Sequence, residues 1–304
     1  MRKHDTYVIS TPAPYKPRRW PIIGFFICLA ILVYPLIAST WNRYRSSLLA
    51  TEYEESVAED PVYYEQLLED AREYNRKLTE DTYYVITQKE YEEDPEYESL
   101  LDIGGQMGYI EIPSIQVTES ISHYTTDEVL EEHIGHIHGS SLPAGADEET
   151  GTSHSVITGH CGLPTQKFFT DLDKVVEGDR FFLHIGSETL AYEVTRIQTV
   201  LPDEVESLVM EEGKDLVTLV TCTPYAVNSH RLLVTGERIP YTEEVIEEEE
   251  NAVYMPRLDP GEILILGVLC FFLIFFLIQA ILQHRRRKKA RGQTADTASR
   301  GADG

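Results

Sequence analysis

The chain has 304 residues and a net charge of −25, from 51 acidic and 26 basic side chains. Acidity on that scale argues against nucleic acid as a partner, because phosphate recognition needs a basic footprint. The length allows one sizeable domain with appendages.

In chain order, residues 1–20 form a basic tail with Arg2, Lys3, Lys16, Arg18 and Arg19 against one acid, Asp5. Residues 21–38 read PIIGFFICLAILVYPLIA, an uncharged run of bilayer-spanning length, and predict a transmembrane helix or signal anchor over 21–41. A cleaved secretory signal is the competing reading, since small residues stand at Ala38 and Ser39. The long apolar core, and Leu36 three places before a cut after Ala38, favour an uncleaved anchor. Residues 42–107 predict a helical region and then a loop. Tyr63, Leu67, Ala71, Tyr74 and Leu78 recur at helical spacing, and Pro61 opens that helix. Residues 79–107 are dense in acids and tyrosines with weak periodicity, which predicts a long loop with about one helical turn.

Residues 108–240 change character. GYIEIPSIQVTESI, SHSVITGH, DRFFLHIG, TLAYEVTRIQTVL, KDLVTLVTC and HRLLVTGERI are short, β-rich and separated by Gly, Pro or acidic turns. Such a series predicts an all-β barrel or sandwich. Residues 241–262 read as an acidic linker. Residues 263–283 hold a second apolar run, and 284–304 form a second basic tail opening with HRRRKKAR. Basic flanks stay in the cytoplasm, so both termini are predicted inside and 42–262 outside. That segment has 14 basic and 48 acidic side chains, a net of −34. Its acidity reads as a solvated surface near an anionic envelope.

Four cysteines are present. Cys28 and Cys270 lie in the apolar runs and read as apolar filler. Cys161 and Cys222 belong to the exported segment, where two thiols commonly pair. The run LVTLVTCTPYAVNSHRLLVTGER, 216–238, suggests another role. Leu216, Thr218, Val220 and Cys222 share one face of a strand. Arg231 begins the next strand after a short loop. Antiparallel pairing brings Cys222 and Arg231 to the same end of the sheet, where the cation favours the thiolate and can donate to a developing oxyanion. A buried thiol beside a salt-bridged arginine is the plain alternative. His160, at the end of VITGH, is the candidate acid and base; otherwise it is an ordinary surface or core histidine. His133, His136 and His138 raise a metal site as a rival, but no acidic second shell or cysteine pair accompanies them, and no metal is assigned.

These motifs resemble a family. Thr218-Leu219-Val220-Thr221-Cys222 is similar to the TLxTC motif of sortases, Arg231 matches their active-site arginine, and His160 matches their TGH histidine. GYIEIPSI, GHIHGSSLPAG, GHCGLP and FTDLDKVVEGDRF look like class C, the pilus-building sortases. The resemblance runs from about Tyr74 to Ile239. It implies an eight-stranded sortase-type β-barrel with an N-terminal helical and lid region and two flanking transmembrane helices. It implies a membrane-anchored extracellular transpeptidase in which Cys222 attacks the Thr–Gly carbonyl of an LPxTG-like sorting signal. A pilin lysine then takes the acyl group. His160 acts as general acid and base, and Arg231 holds the oxyanion. No metal or organic cofactor is implied. Class C enzymes also carry an Asp-Pro-aromatic lid. Its positional match here is Asp81-Thr82-Tyr83, with Thr82 in place of proline and with Asp94-Pro95 as the alternative. The class usually has arginine after the histidine. This chain has Cys161, read either as a buried residue or as a redox partner of Cys222.

Three rivals remain. Anchoring of surface proteins to the cell wall would use a wall-precursor amine as acceptor. A cysteine protease would release its product to water. A doubly anchored scaffold would work without its thiol.

Overall fold

A computed structural model describes residues 20–80, 94–163, 166–204, 206–252, 263, 265–279, 281–282 and 285. These fall into two compact units, one built from 1–35 and 261–304 and one from 36–260.

The larger unit is a closed barrel of eight strands. They are β1 (Gly108–Ile112), β2 (Val117–His123), β3 (Ile134–His136), β4 (Ser153–Thr158), β5 (Arg180–Ile185), β6 (Glu188–Val200), β7 (Asp215–Thr223) and β8 (His230–Ile239). Around the barrel they run β1-β2-β3-β4-β7-β8-β6-β5. The pairs β2–β3 and β4–β7 are parallel; the other six are antiparallel. Closure leaves no strand edge without a partner. Alternating Val, Ile and Phe from these strands fill the interior, among them Ile110, Ile121, Ile157, Leu183, Val217, Leu219 and Val234. The strand series read from the sequence therefore closes as a barrel. Strand β3 was too short to carry an alternating signal. Its three residues follow a six-residue helix, Asp127–Glu132.

Helix α1 spans Trp20–Glu59 and α2 spans Pro61–Glu80. In the larger unit Ala50, Tyr53 and Val57 of α1 pack with Ile103 and Tyr109. The Tyr53 hydroxyl donates to Met107 O at 3.1 Å and accepts from Gly186 N at 2.7 Å. Helix α2 begins at Pro61, as predicted, but it buries Leu68, Ala71, Asn75 and Leu78, while Tyr63 is exposed. The buried stripe is rotated because it includes a polar residue. Asn75 Nδ2 donates to Leu142 O and Gly145 O, and Asn75 Oδ1 accepts from Leu142 N at 2.7 Å. An apolar count cannot see a buried side chain satisfied in this way.

Residues 79–107 contain a short helix, α3 (Pro95–Ser99), capped by Asp94. The segment read as an acidic linker contains α5 (Glu243–Asn251), capped by Thr242; the Asp127–Glu132 helix is α4. Glu248 of α5 accepts from Arg180 Nη1 on β5 at 2.8 Å, so this stretch is docked rather than free. In the smaller unit Phe25 meets Phe272 and Phe276 edge-on at 5.1 and 4.9 Å. Among the described residues one helix, Ile23–Glu59, is long and apolar enough to cross a membrane. The helix Ile265–Gln279 is apolar but shorter.

Candidate active site

Three strand ends meet at one place on the barrel rim. In the β7–β8 register Cys222 lies directly opposite Arg231. Val217 and Leu219 point into the barrel core, while Val220 and Leu233 form a separate apolar cluster with Val156 and Leu208. Strand alternation puts Cys222 with Val220 and Arg231 with Leu233, so thiol and guanidinium share the outer face. Both are partly exposed. Arg231 Nη1 donates to His230 O at 3.2 Å and to Asn228 O at 3.4 Å, which folds its head onto the β7–β8 loop.

His160 arrives from β4. The parallel register pairs Thr158 with Val220. Gly159 N donates to Val220 O at 3.1 Å, and Thr221 Oγ1 donates to Gly159 O at 2.7 Å. These two bonds extend the β4–β7 pairing one residue beyond the strand and bring His160 level with Cys222. Phe169 N then donates to His160 O at 3.3 Å. A side chain at Gly159 would meet Ile134 at 2.8 Å and Phe169 at 3.0 Å, so only glycine lets the backbone pass here. Gly162 has φ +85°, and a Cβ there would lie 2.9 Å from the Tyr225 ring. That contact seats the histidine loop against the β7–β8 loop.

Cys161 differs from Cys222 in its surroundings. Burial pushes its thiol up, and the nearby charges of Asp173, Cys222 and Asp171 push the same way. A thiol held protonated is a poor nucleophile, which makes Cys161 the weaker candidate of the two. Neither cysteine is in a disulfide.

The remaining candidates lie elsewhere. Asp81 and Tyr83 are outside the described residues. Asp94 accepts from Glu96 N and Tyr97 N at the start of α3, and its Oδ2 lies 3.2 Å from His138 Nε2. Burial alone would raise the Asp94 carboxyl, but the hydrogen bonds from Tyr97 and His138 outweigh it and hold the group below its ordinary value. The three clustered histidines have separate partners. His133 Nδ1 meets Ser120 Oγ, His138 meets Asp94, and His136 Nε2 donates to Ser141 O at 2.8 Å, leaving Nδ1 to accept from Tyr97. Burial pushes His136 down to about 3. Among the described residues no three His, Cys, Asp or Glu side chains converge as metal ligands. Thr221 and Gly159 lie inside the motifs quoted from the sequence, but the bond between them has no local signature, and Tyr225, which acts through position, gave no chemical signal.

A family model, the Sortase domain, matches residues 110–239. Sortase A of Bacillus anthracis is 27% identical over 139 residues, 46% of this chain and 62% of that protein. Sortase A of Staphylococcus aureus is 31% identical over 121 residues, 39% of this chain and 55% of that protein. The chain thus spans less than two thirds of the length of these curated relatives. The crystal structure of sortase C1 from Streptococcus agalactiae matches with 41% identity and a TM-score of 0.58, covering 64% of this chain and 99% of that one. Sortase C of Streptococcus pneumoniae matches with 38% identity and a TM-score of 0.56, covering 64% and 97%.

Proposed function

This chain belongs to the sortase family, and on that premise we propose that it is a membrane-anchored, extracellular cysteine transpeptidase that assembles pilins. The observation that carries the reading is the meeting of Cys222, Arg231 and the His160 loop at adjoining strand ends. Cys222 Sγ, as thiolate, attacks the Thr–Gly carbonyl of an LPxTG-like signal. Arg231 donates to the oxyanion as it forms; a guanidinium has five N–H donors, and the bonds to the loop carbonyls use Nη1 alone. His160 protonates the departing glycine amine, and the C–N bond breaks to leave a thioester on Cys222. An incoming amine then attacks the thioester, His160 accepts its proton, and the thiolate returns. The product is an amide; with a pilin lysine it is an isopeptide. No step calls for a metal or an organic cofactor.

Pilin as substrate is supported by the kind of relative the chain matches. The Streptococcus pneumoniae structure is described in terms of pilin substrate specificity, and a further Streptococcus agalactiae match, 40% identical, is the sortase C1 of a pilus island. The apolar helix Ile23–Glu59 and the basic tails support export of the barrel, with the run at 263–283 as a second anchor.

The full-length chain in detergent micelles, given an LPxTG peptide and a lysine-containing acceptor peptide, should yield the branched ligation product by mass spectrometry. Cleavage to the free acid, unchanged by added amine, would mark a protease instead. Ligation to a wall-precursor amine in preference to lysine would mark cell-wall anchoring. Product formation by Cys222→Ala would end the reading.

A further inference from the structure

Beneath the Cys222–Arg231 level, the outer face of the barrel buries a row of polar side chains. His154 on β4, Thr218 on β7 and Thr235 on β8 are 1%, 0% and 2% exposed. His154 Nδ1 lies 3.0 Å from Val209 O, His154 Nε2 lies 2.7 Å from Thr218 Oγ1, and Thr218 Oγ1 lies 2.8 Å from Thr235 Oγ1. The donors follow by elimination. A carbonyl only accepts, so Nδ1 carries a hydrogen and donates to Val209. Burial holds the ring to its neutral form, so Nε2 accepts from the Thr218 hydroxyl. The Thr218 oxygen then accepts from Thr235. Each group in the row is satisfied, and the imidazole is fixed in one tautomer.

Val209 lies in the connection between β6 and β7, on the turn that follows Glu206–Leu208. Leu208 of that turn is buried against Val156, Val220 and Leu233. Val220 and Leu233 stand two residues from Cys222 and Arg231 on the same faces of β7 and β8. The turn therefore roofs the surface next to the thiol. Its far end is held separately, by Arg196 and Lys214 on Glu211 and by Gly213 N donating to Thr152 Oγ1 at 2.8 Å. At the near end the sheet reaches the turn through His154.

We infer that His154 is a positioning residue, a latch that holds the Leu208–Val209 turn over the outer face carrying Cys222 and so sets how tightly the acyl-donor peptide is held beside the thiol. The latch is a matter of packing and hydrogen bonding. Its effect on the peptide rests on the proposed role of Cys222.

The test uses the full-length chain in detergent micelles, with His154→Leu, His154→Asn and Thr218→Val. Amide hydrogen exchange across 206–214 reads the latch without substrate. His154→Leu should speed that exchange about tenfold, the ratio set by one ordinary hydrogen bond, with β7 and β8 unchanged. His154→Asn keeps a donor near the position of Nδ1 and should recover most of the protection. With LPxTG peptide, His154→Leu should raise KM about tenfold and change kcat by less than about threefold, a split that a loosened barrel would not produce. Thr218→Val is nearly isosteric and serves if the leucine variant does not fold; it should speed the same segment about threefold. Unchanged exchange across 206–214 in a folded variant overturns the latch, as does equal acceleration of β7 and β8. Faster exchange with an unchanged KM overturns its part in peptide binding. A wild-type chain that leaves the peptide uncut would sink the transpeptidase reading, and the exchange comparison would still decide the latch.

Discussion

Two regions of this barrel concentrate polar and titratable side chains, and they are built by opposite rules. At the ends of β4, β7 and β8, Cys222, Arg231 and His160 are partly exposed. Around α3 and β3 the histidines are more numerous and more constrained. His136 is fully buried between Tyr97 and Ser141. His123 Nε2 donates to Leu100 O at 2.8 Å, and His138 meets Asp94. A buried imidazole with both nitrogens occupied has no capacity left to pass a proton to a substrate. Histidine density here marks a rigid joint between α3 and the barrel. The reactive candidates are side chains set opposite one another at the rim.

Removing each sulfur in turn should have the largest effect. Cys222→Ala should lower peptide ligation more than about a thousandfold, the cost of losing a covalent nucleophile. Cys161→Ser should keep ligation within about threefold of wild type. Mass spectrometry for a thioester on the chain checks both, and a thioester on Cys161 would overturn the assignment. Next in size, Arg231→Ala should reduce kcat about a hundredfold, as loss of an oxyanion donor does, with Arg231→Lys between the two because it keeps charge but loses the fork.

In the other region, changes should alter stability and spare turnover. His136→Asn should destabilise the barrel by about 2–3 kcal/mol, because it strips a buried network of a partner. Turnover per folded molecule should hold. The sign of the pH effect follows from the depressed affinity. His136 is pushed to about 3 when folded, below an unfolded value of about 6.5. The unfolded chain therefore binds more protons between those values. The contribution is complete above about pH 6.5 and drains away as pH falls toward 3, with a slope of up to about 1.4 kcal/mol per pH unit for one proton. Melting from pH 7 to 5 should be steeper for wild type than for His136→Asn; parallel curves would refute the buried neutral ring. The smallest effect belongs to Asp94→Asn. It gives up the half-exposed pairing with His138 but keeps a capping side chain, and should cost no more than about 1 kcal/mol.

Much of the barrel was legible. Seven of the eight strands match, to within two residues at their ends, the runs read from β-rich segments and their turns, because alternation survives wherever one strand face is buried. Strand β3 was not among those runs, because three residues cannot show a period. The rotated face of α2 escaped because Asn75 looks polar in a list of residue types and is buried only through its bonds to the backbone at 142 and 145. The helix α5 escaped because its run of glutamates reads as solvated linker, whereas Thr242 caps it and Arg180 binds Glu248. At the candidate site, the residue types of Cys222, His160 and Arg231 were readable. The supports beneath them were not. Gly159 and Tyr225 matter through close approach and Thr221 through its bond to Gly159 O, and neither kind of contact has a compositional mark.

The order of residues alone determined which groups could do chemistry, where the apolar runs lie and which segments would pleat, since these depend on side-chain type and on periods of a few residues. Only the closed sheet decided that β4 runs parallel beside β7, which brings His160 to the level of Cys222 from 62 residues away. Only it decided that His154 reaches a carbonyl of the β6–β7 connection, 55 residues distant. Register between distant strands is set by the packing of the whole barrel, so no local stretch of sequence contains it.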